Sequence, residues 1–423
     1  MDYSKFRLKN NIPVYVCQSP LYVQTNVKLK FYSANNESNA AKTLAVRLMM
    51  EGSRHFPTSQ AINLATLNEF DAGIGGGCGM NSGLHVAGFS ISALTKESLT
   101  GGQNTLENMA ALLADIINEP LIESGRFNNE YFIKKKEELI VGVKQAGLDK
   151  DIVAERKFLE LALGKNSHTM PVAGDLKEVE GVRNEDAAGA YSRMIAEIPR
   201  MIFVGTSLEP WHVAEVLDRV FGNLPEVNKT PAFAAPPEKN AGARLEDDSE
   251  FDQSVVYAGF PFSIPETTKE RHALQMLAFY MGGYSGGRLF TEIRTKRDMA
   301  YGAFAGIDFE TGLMHGVAGV DIKNKDKTIE IIINEFSKAA NGKITKSGIA
   351  NAKRYVLSQI GMNMHSKARR MGFLENSVLS NRPDEIAGYE QRYSNVEYED
   401  VLKAASRINP SPIVYCLKQG DKK

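Results

Sequence analysis

The hydrophobic pattern of the first half of the chain changes repeatedly between strand and helix signals. Apolar side chains recur at every second position in short segments and at helical spacing in longer ones. The pattern predicts strands at 12–16, 27–31, 84–92 and 201–204, and helices at 38–49, 58–67, 106–117 and 127–143. The first of these helices is expected to end at Gly52, where a C-terminal cap belongs. Strands interleaved with helices in this way indicate an α+β domain.

The same order of elements recurs after a break in the pattern. Between residues 225 and 248, proline, alanine, asparagine and charged residues replace the periodic pattern, which is typical of a linker. A strand at 255–260 and a helix at 269–281 follow. Strand-helix-strand order repeats by chance in many α+β proteins, but repetition on both sides of one linker favours duplication. The sequence therefore predicts two similar domains, at 1–224 and 250–423, joined by a linker at 225–249.

The composition excludes several classes of function. The 423 residues carry 50 Lys and Arg against 51 Asp and Glu, and a net charge of −1 leaves no excess of cations for a nucleic-acid backbone. No run of about 18 apolar residues could span a membrane, and the first residues lack the layout of a signal peptide. The three cysteines are too few and too scattered for a disulfide framework or a cysteine-based zinc site. We therefore expect a cytoplasmic protein in a reducing compartment.

Histidines, glycines and cysteines give no independent catalytic motif. The seven histidines are His55, His85, His168, His212, His272, His315 and His365. No two lie four residues apart, and Val216 stands where an inverted zinc motif beginning at His212 would need its second histidine. The glycines at 73–79 lack the lysine of a phosphate-binding loop and are expected to let two strands or a turn approach closely. Cys78 has no histidine pattern beside it and is expected to be a small buried residue.

One segment carries a recognisable signature. Residues 292–301 read Glu-Ile-Arg-Thr-Lys-Arg-Asp-Met-Ala-Tyr, preceded by Gly-Gly-Arg-Leu-Phe. This segment resembles the second-domain signature of the pitrilysin/insulinase-type zinc peptidases, which include insulin-degrading enzyme and the mitochondrial processing peptidase. The resemblance implies that Arg294 and Tyr301 grip the substrate, the guanidinium at peptide carbonyls and the phenol at the developing oxyanion. Taken alone, the two residues would be a surface helix residue and a half-buried strand residue.

The resemblance covers nearly the whole chain, including the opening hairpin and the helix start at 127–130. It implies two similar α+β domains, each a mostly antiparallel sheet with packed helices, in the clamshell half of the processing-peptidase-like metallohydrolase fold. Four glycines stand where the non-catalytic subunit of the mitochondrial processing peptidase carries a glycine-rich loop that handles substrate, namely Gly282, Gly283, Gly286 and Gly287. The alternative is that these glycines cap a helix and allow positive backbone dihedral angles.

The zinc-binding motif of the family is missing. Active members carry His-x-x-Glu-His on their first long helix, with a distant glutamate as third zinc ligand. Anchored on residues 50–53 at the end of that helix, the three motif positions fall on Thr43, Val46 and Arg47. Valine has no lone pair, and arginine places a permanent positive charge where a dication would bind. The third-ligand position falls at about Val141 or Gly142, neither of which can coordinate zinc.

The resemblance therefore implies a zinc-free member of the family from a paired bacterial system, similar to those of Firmicutes. We expect a non-catalytic subunit without a cofactor of its own, which joins a zinc-bearing homologue and a peptide or unfolded polypeptide substrate. A homodimer of the isolated chain is left open. Two alternatives remain at this point: a structural or peptide-binding protein without a proteolytic role, and an active metalloendopeptidase with an unrecognised site.

Overall fold

The computed structural model describes residues 3–36, 38–231, 234–364, 366–380 and 388–420 of the chain. The chain divides into two units, each assembled from three segments. The first unit comprises Met1–Lys144, Met170–Ala234 and Ser366–Ile386. The second unit comprises Gln145–Thr169, Ala235–His365 and Ala387–Lys423. Within the described ranges, no helix has the length and apolar composition needed to cross a membrane.

The elements alternate between strands and helices along most of the chain. The strands are β1 (Ser4–Arg7), β2 (Pro13–Gln18), β3 (Gln24–Ala34), β4 (Gly73–Asn81), β5 (Leu84–Leu94), β6 (Ile122–Glu123), β7 (Arg126–Phe127), β8 (Arg200–Thr206), β9 (Arg244–Asp247), β10 (Ser254–Pro261), β11 (Ala300–Asp308), β12 (Leu313–Val320) and β13 (Ile413–Leu417). The α-helices are α1 (Asn39–Met49), α2 (Ser59–Asn68), α3 (Glu97–Thr100), α4 (Thr105–Asn118), α5 (Asn129–Ala146), α6 (Lys150–Leu163), α7 (Leu176–Gly181), α8 (Asn184–Glu197), α9 (Pro210–Phe221), α10 (Thr268–Gly282), α11 (Lys325–Ala340), α12 (Lys346–Met364), α13 (Lys367–Leu379), α14 (Tyr389–Ser394) and α15 (Tyr398–Ala405). A π-helical segment, Phe290–Thr295, and a 3₁₀ turn, Ile322–Asn324, complete the description.

The first unit is built on a sheet with the strand order β1-β2-β8-β3-β5-β4. Strands β2 and β8 run parallel, and the other neighbouring pairs are antiparallel. Alternate residues of β3, Val27, Leu29 and Phe31, lie in a hydrophobic core with residues of α1, α4, α8 and α9. On the opposite face, Lys30 and Tyr32 contact helix α13. We refer to this face as the second face of the sheet.

The second unit is built on a sheet with the strand order β11-β12-β10-β13-β9. On one face, Phe260 of β10 stacks on Phe336 of α11, with ring centroids 4.2 Å apart, in a core that includes α10. On the other face, Phe158 of α6 stacks on Tyr257, with ring centroids 4.7 Å apart. Gly259 permits this second contact, because a Cβ there would lie 2.5 Å from the Phe158 ring. The sheet is therefore covered by helices on both faces.

Five strands follow the same order in both units. The order β2-β8-β3-β5-β4 of the first unit matches β9-β13-β10-β12-β11 of the second. The parallel pair occupies the same place in each sheet, β2 with β8 and β9 with β13. The predicted fold class is confirmed, because each unit is an α+β arrangement with a mostly antiparallel sheet and packed helices.

The structure tests the predictions made for Gly52 and for the glycines at 73–79. Helix α1 ends at Met49 and its cap residue is Met50, so the prediction that Gly52 caps the helix is wrong. A Cβ at Gly52 would lie 2.8 Å from the carbonyl carbon of Pro57, so glycine is needed here for a close backbone approach. Of the two alternatives expected for the glycines at 73–79, the structure shows the close approach of two strands, because these glycines lie within β4, which pairs with β5 along its length.

The end of the predicted linker is ordered into a strand. Residues Arg244–Asp247 form β9 and pair in parallel with β13. Three of these four residues are charged, so the hydrophobic pattern gave no strand signal. Residues 232 and 233 of the linker lie outside the described part of the chain. Helix α6 precedes the linker in sequence but belongs to the second unit. The hydrophobic pattern does not indicate this assignment.

The packing predicts opposite effects for alanine at two helical glycines. A Cβ at Gly282 would lie 2.7 Å from the amide nitrogen of Ala305, so Gly282→Ala is expected to destabilise the protein by about 2 kcal/mol. A Cβ at Gly142, in the exposed middle of α5, would meet nothing within 4 Å, so Gly142→Ala is expected to stabilise by about 1 kcal/mol. Urea unfolding followed by circular dichroism measures both changes. Equal effects of the two variants would contradict the packing described for Gly282.

Candidate functional site

Arg294 and Tyr301, which the sequence pairs by their spacing, lie side by side in the second unit. Arg294 belongs to the π-helical segment, in which the amide of Lys296 donates to the carbonyl of Thr291 at 3.0 Å. Its Nη1 donates to Asp298 Oδ1 at 2.8 Å and to the carbonyl of Ala300 at 3.3 Å. The guanidinium carbon lies 5.3 Å from the centre of the Tyr301 ring, within the range of a cation–π contact.

Tyr301 owes its position to a β-bulge. Ala300 pairs with Val320 and Ala303 pairs with Ala318, so β11 contains one residue more than β12 in this interval. A bulge of this kind redirects a side chain and is common next to binding and active sites. The Tyr301 side chain is 86% exposed rather than half-buried, and its hydroxyl has no hydrogen-bond partner within the described ranges. The phenol is therefore available to a ligand.

A buried carboxylate fixes the segment that carries Arg294. Glu292 is 7% exposed, and its oxygens accept from Arg288 at 2.9 Å, Lys296 at 2.6 Å and Arg297 at 2.9 Å. Burial alone would raise the pKa of this carboxyl, but the hydrogen bonds from Lys296 and Arg297 and the charge of Arg288 outweigh burial and lower the pKa to about 2. Glu292 is therefore ionised at neutral pH. The i,i+4 spacing of Arg288, Glu292 and Lys296 was a sequence signal for this cluster.

The four glycines of the expected substrate loop lie at and after the end of α10, and none has a positive φ. Gly282 is the last helical residue and Gly283 its cap. A Cβ at Gly287 would lie 2.7 Å from the Cα of Gly282, so the chain folds back closely on the helix end. A Cβ at Gly283 would lie 2.6 Å from the Phe279 ring, and one at Gly286 would overlap the Tyr284 ring. Glycine is required here for close packing, and its role in substrate handling stays a prediction.

The positions that would hold zinc are repacked as part of the core of the first unit. The hydroxyl of Thr43 donates to the carbonyl of Val172 at 2.8 Å and lies 3.2 Å from Nε2 of His85. His85 is buried, and burial, aided by the charge of Lys42, lowers its pKa to about 3, so the imidazole is neutral at neutral pH. Val46 is fully buried among apolar side chains.

These residues do not fit a zinc ion. Val46 offers no donor atom, and the Thr43 hydroxyl is already engaged with a backbone carbonyl. Arg47, one helical turn from Thr43, brings a cation to the same face of α1. In the part of the chain that the structure describes, no group of three or more His, Cys, Asp or Glu residues could hold a metal ion. His365 lies outside the described residues.

The expected third-ligand position lies on the exposed side of α5. Val141 is 52% exposed, and a Cβ at Gly142 would meet open space. Leu139, two residues earlier, is buried, and two residues of an α-helix differ by about 200° in direction. The placement of the third ligand remains a prediction.

Cys78 faces the same region but is not an activated nucleophile. It lies on β4 and is partly buried. Burial raises the pKa of its thiol to about 11, although a hydrogen bond with Thr43 and the charge of Arg47 oppose that shift. The thiol is therefore protonated at neutral pH, and a catalytic cysteine would need the opposite shift.

Comparisons with known proteins agree with this geometry. Residues 191–356 match the family model described as Peptidase M16 inactive domain. The chain is 22% identical over 324 residues to the probable inactive metalloprotease YmfF of Bacillus subtilis, which covers 77% of this chain and 76% of that protein. The crystal structure of a conserved protein from Enterococcus faecalis superposes with a TM-score of 0.89 at 19% identity, over 100% of both chains. A peptidase M16 inactive domain from Pseudomonas fluorescens superposes with a TM-score of 0.84 at 15% identity, over 100% of this chain and 99% of that one.

The two-unit fold and the match of residues 191–356 show that the chain is similar to the M16 peptidases, the pitrilysin/insulinase-type family. The matching family model and the relative YmfF are both described as inactive, and the zinc positions of this chain, which are repacked as core, agree with that description. The recognition made from the sequence is therefore confirmed.

The charge cluster at Glu292 predicts a pH-dependent contribution to stability. Because the carboxyl has a pKa of about 2 in the folded protein, against about 4.5 when unfolded, its stabilisation is complete above about pH 5 and is lost as the pH falls toward 2. Glu292→Gln is expected to lower the free energy of unfolding by about 2 kcal/mol at pH 7 and by much less at pH 3. Urea unfolding at the two pH values measures the difference.

The matched control is Glu330→Gln, which breaks an exposed pair between Glu330 and Lys327. Exposed pairs contribute about 0–1 kcal/mol, so the control should change stability little at either pH. A loss at Glu292 that is equal at pH 7 and pH 3 would show that the ionised carboxylate does not hold the segment.

Proposed function

We propose that this chain is the non-catalytic subunit of a heterodimeric zinc peptidase and that it supplies Arg294 and Tyr301 to the substrate. The observation that carries the proposal is the exposed phenol of Tyr301, held against Arg294 in a protein whose own zinc positions are repacked as core. The partner is a homologous subunit with an intact zinc motif, and the substrate is a peptide or an unfolded polypeptide.

The chemistry of the pair suits a peptide backbone. Nη1 of Arg294 is used by Asp298 and the carbonyl of Ala300, while the other guanidinium N–H groups have no partner among the residues described. These donors are fixed in direction and match a peptide carbonyl. The free hydroxyl of Tyr301 can donate to an oxygen that gains negative charge during hydrolysis. The pair thus supplies binding and charge stabilisation, and the metal chemistry belongs to the partner.

The names of relatives support an inactive chain but do not identify a partner. YmfF of Bacillus subtilis is described as a probable inactive metalloprotease, and the matching family model as an inactive domain. A division of labour accounts for a chain that keeps an exposed Arg/Tyr pair without a zinc site. All three cysteines are free thiols, and we keep a reducing, cytoplasmic location as an expectation.

The proposal predicts that both members of the pair affect turnover by the assembled peptidase. Tyr301→Phe removes one hydrogen-bond donor and is expected to lower kcat about tenfold or more, and Arg294→Ala is expected to lower kcat/KM by a similar factor. The measurement is cleavage of an unstructured peptide by this chain mixed with its zinc-bearing homologue. Assembly, measured by size-exclusion chromatography, should be unchanged because Tyr301 is 86% exposed.

Tyr3→Phe is the matched control, because it removes a tyrosine hydroxyl in the first unit, away from the Arg/Tyr pair in sequence. The Tyr3 ring contacts Tyr15. Unchanged turnover in both test variants would contradict the proposal. Failure of any zinc-bearing homologue to co-purify would favour the structural or peptide-binding alternative. Cleavage by the isolated chain together with stoichiometric bound zinc would instead favour an independent active site.

A further inference from the structure

The first unit contains a cleft of about 320 Å³ on the second face of its sheet. The cleft lies over β3, β5 and β4, with helix α13 along one side. Its lining residues come from these four elements and include Lys28, Lys30, Gly77, Gly88, Ser90 and Glu375. Arg294 and Tyr301 belong to the second unit and are not among the residues that line the cleft.

The charges in the cleft do not balance. Glu375 of α13 accepts from Lys30 Nζ at 2.5 Å and from the hydroxyl of Tyr32 at 3.1 Å, so its carboxylate is neutralised by Lys30. Lys28, two residues earlier on the same face of β3, has no ion-pair or hydrogen-bond partner within the described part of the chain. One positive charge is therefore left uncompensated.

Lys28 is held in an unfavourable environment for a cation. It is half-buried, and burial together with the neighbouring charge of Lys30 lowers its pKa, against the smaller attraction of Glu375. A charge that is partly removed from water and gains no partner loses solvation, so an added anion would be favourable here. A bound carboxylate would supply that anion.

The floor of the cleft is accessible because its side chains are small. Lys28 pairs across the sheet with Ser90 of β5, and Ser90 pairs with Gly75 of β4. A Cβ at Gly77 would meet nothing within 4 Å, so open space lies directly above the backbone. Among the residues described, β4 pairs only with β5, so its other edge is unoccupied. Nothing on the floor blocks an approach to Lys28 from β4.

We propose that this cleft binds a carboxylate group of a polypeptide through the ammonium group of Lys28. The inference rests on the proposed function and deepens it, because it assigns the chain a preference for peptides that carry a carboxylate. The carboxylate can come from an acidic side chain of the polypeptide or from its free C-terminus. Lys28 is a specificity-determining residue in this proposal and takes no part in bond cleavage.

The test is peptide binding to the full chain, measured by isothermal titration calorimetry without a label. Two unstructured eleven-residue peptides, acetylated and amidated, differ only in a central glutamate or glutamine. A second pair contains the central glutamine and ends in either a free carboxylate or an amide. One charge-assisted hydrogen bond is expected to make the carboxylate form bind about tenfold more tightly in at least one pair. The pair that shows the preference identifies the source of the carboxylate.

Three variants assign the preference to Lys28. Lys28→Gln should abolish the tenfold difference, whereas Lys28→Arg should keep it. Lys5→Gln is the matched control, because Lys5 lies on β1 at the opposite edge of the same sheet, and it should also keep the difference. The comparison of peptides on the unchanged chain does not depend on how any variant folds.

Several results would overturn the proposal: equal binding within both peptide pairs, no binding of any peptide, or a preference that survives Lys28→Gln. Failure here is distinguishable from failure of the proposed function, which is measured by turnover of the assembled peptidase. Reduced turnover in the Arg294 and Tyr301 variants without a carboxylate preference would overturn only the assignment of Lys28. A carboxylate preference in a chain that finds no zinc-bearing partner would overturn only the heterodimer.

Discussion

The buried carboxylate of Glu292 is the interaction on which the candidate site depends. A carboxylate is costly to bury, and this one is stable because three cationic side chains share its oxygens. Arg288 precedes Arg294 in sequence, and Lys296 and Arg297 follow it, so the cluster fixes the π-helical turn. From this turn Arg294 reaches Asp298 and the backbone of Ala300. The bulge then brings Tyr301 over the guanidinium. A local charge cluster thus sets the direction of both exposed groups.

The two units use the same strand order for different chemistry. The corresponding edge strands are β4 and β11. In β11 the bulge directs the exposed phenol of Tyr301. In β4 every position of the second face from 73 to 79 is glycine, which leaves room above Ser90 and Lys28. Repetition of the fold explains why each unit has a corresponding edge strand. The two edge strands differ in the side chains that they expose.

The sequence predicted strands β2, β3, β5, β8 and β10 and the proximity of Arg294 and Tyr301, because both depend on short-range spacing. Alternation of Val27, Leu29 and Phe31 is a local pattern, and a family signature fixes the distance between two residues. The cleft at Lys28 could not be predicted in the same way. Alternating lysines on a strand indicate only a solvated face, and the wall of the cleft comes from Glu375, 345 residues away from Lys30. Strand β9 was missed for a different reason. Its charged residues carry no strand pattern, and it forms a strand because it pairs with β13.

Repacking of the zinc positions has a consequence beyond the loss of ligands. The surroundings of Val46 are apolar, and the Thr43 hydroxyl is satisfied by a backbone carbonyl. A carboxylate placed at Val46 would be buried without a partner, which costs several kcal/mol unless it is protonated or paired. Arg47 would oppose a bound dication from the same helix face. Formation of a metal site would therefore require changes in the core as well as in the three motif positions.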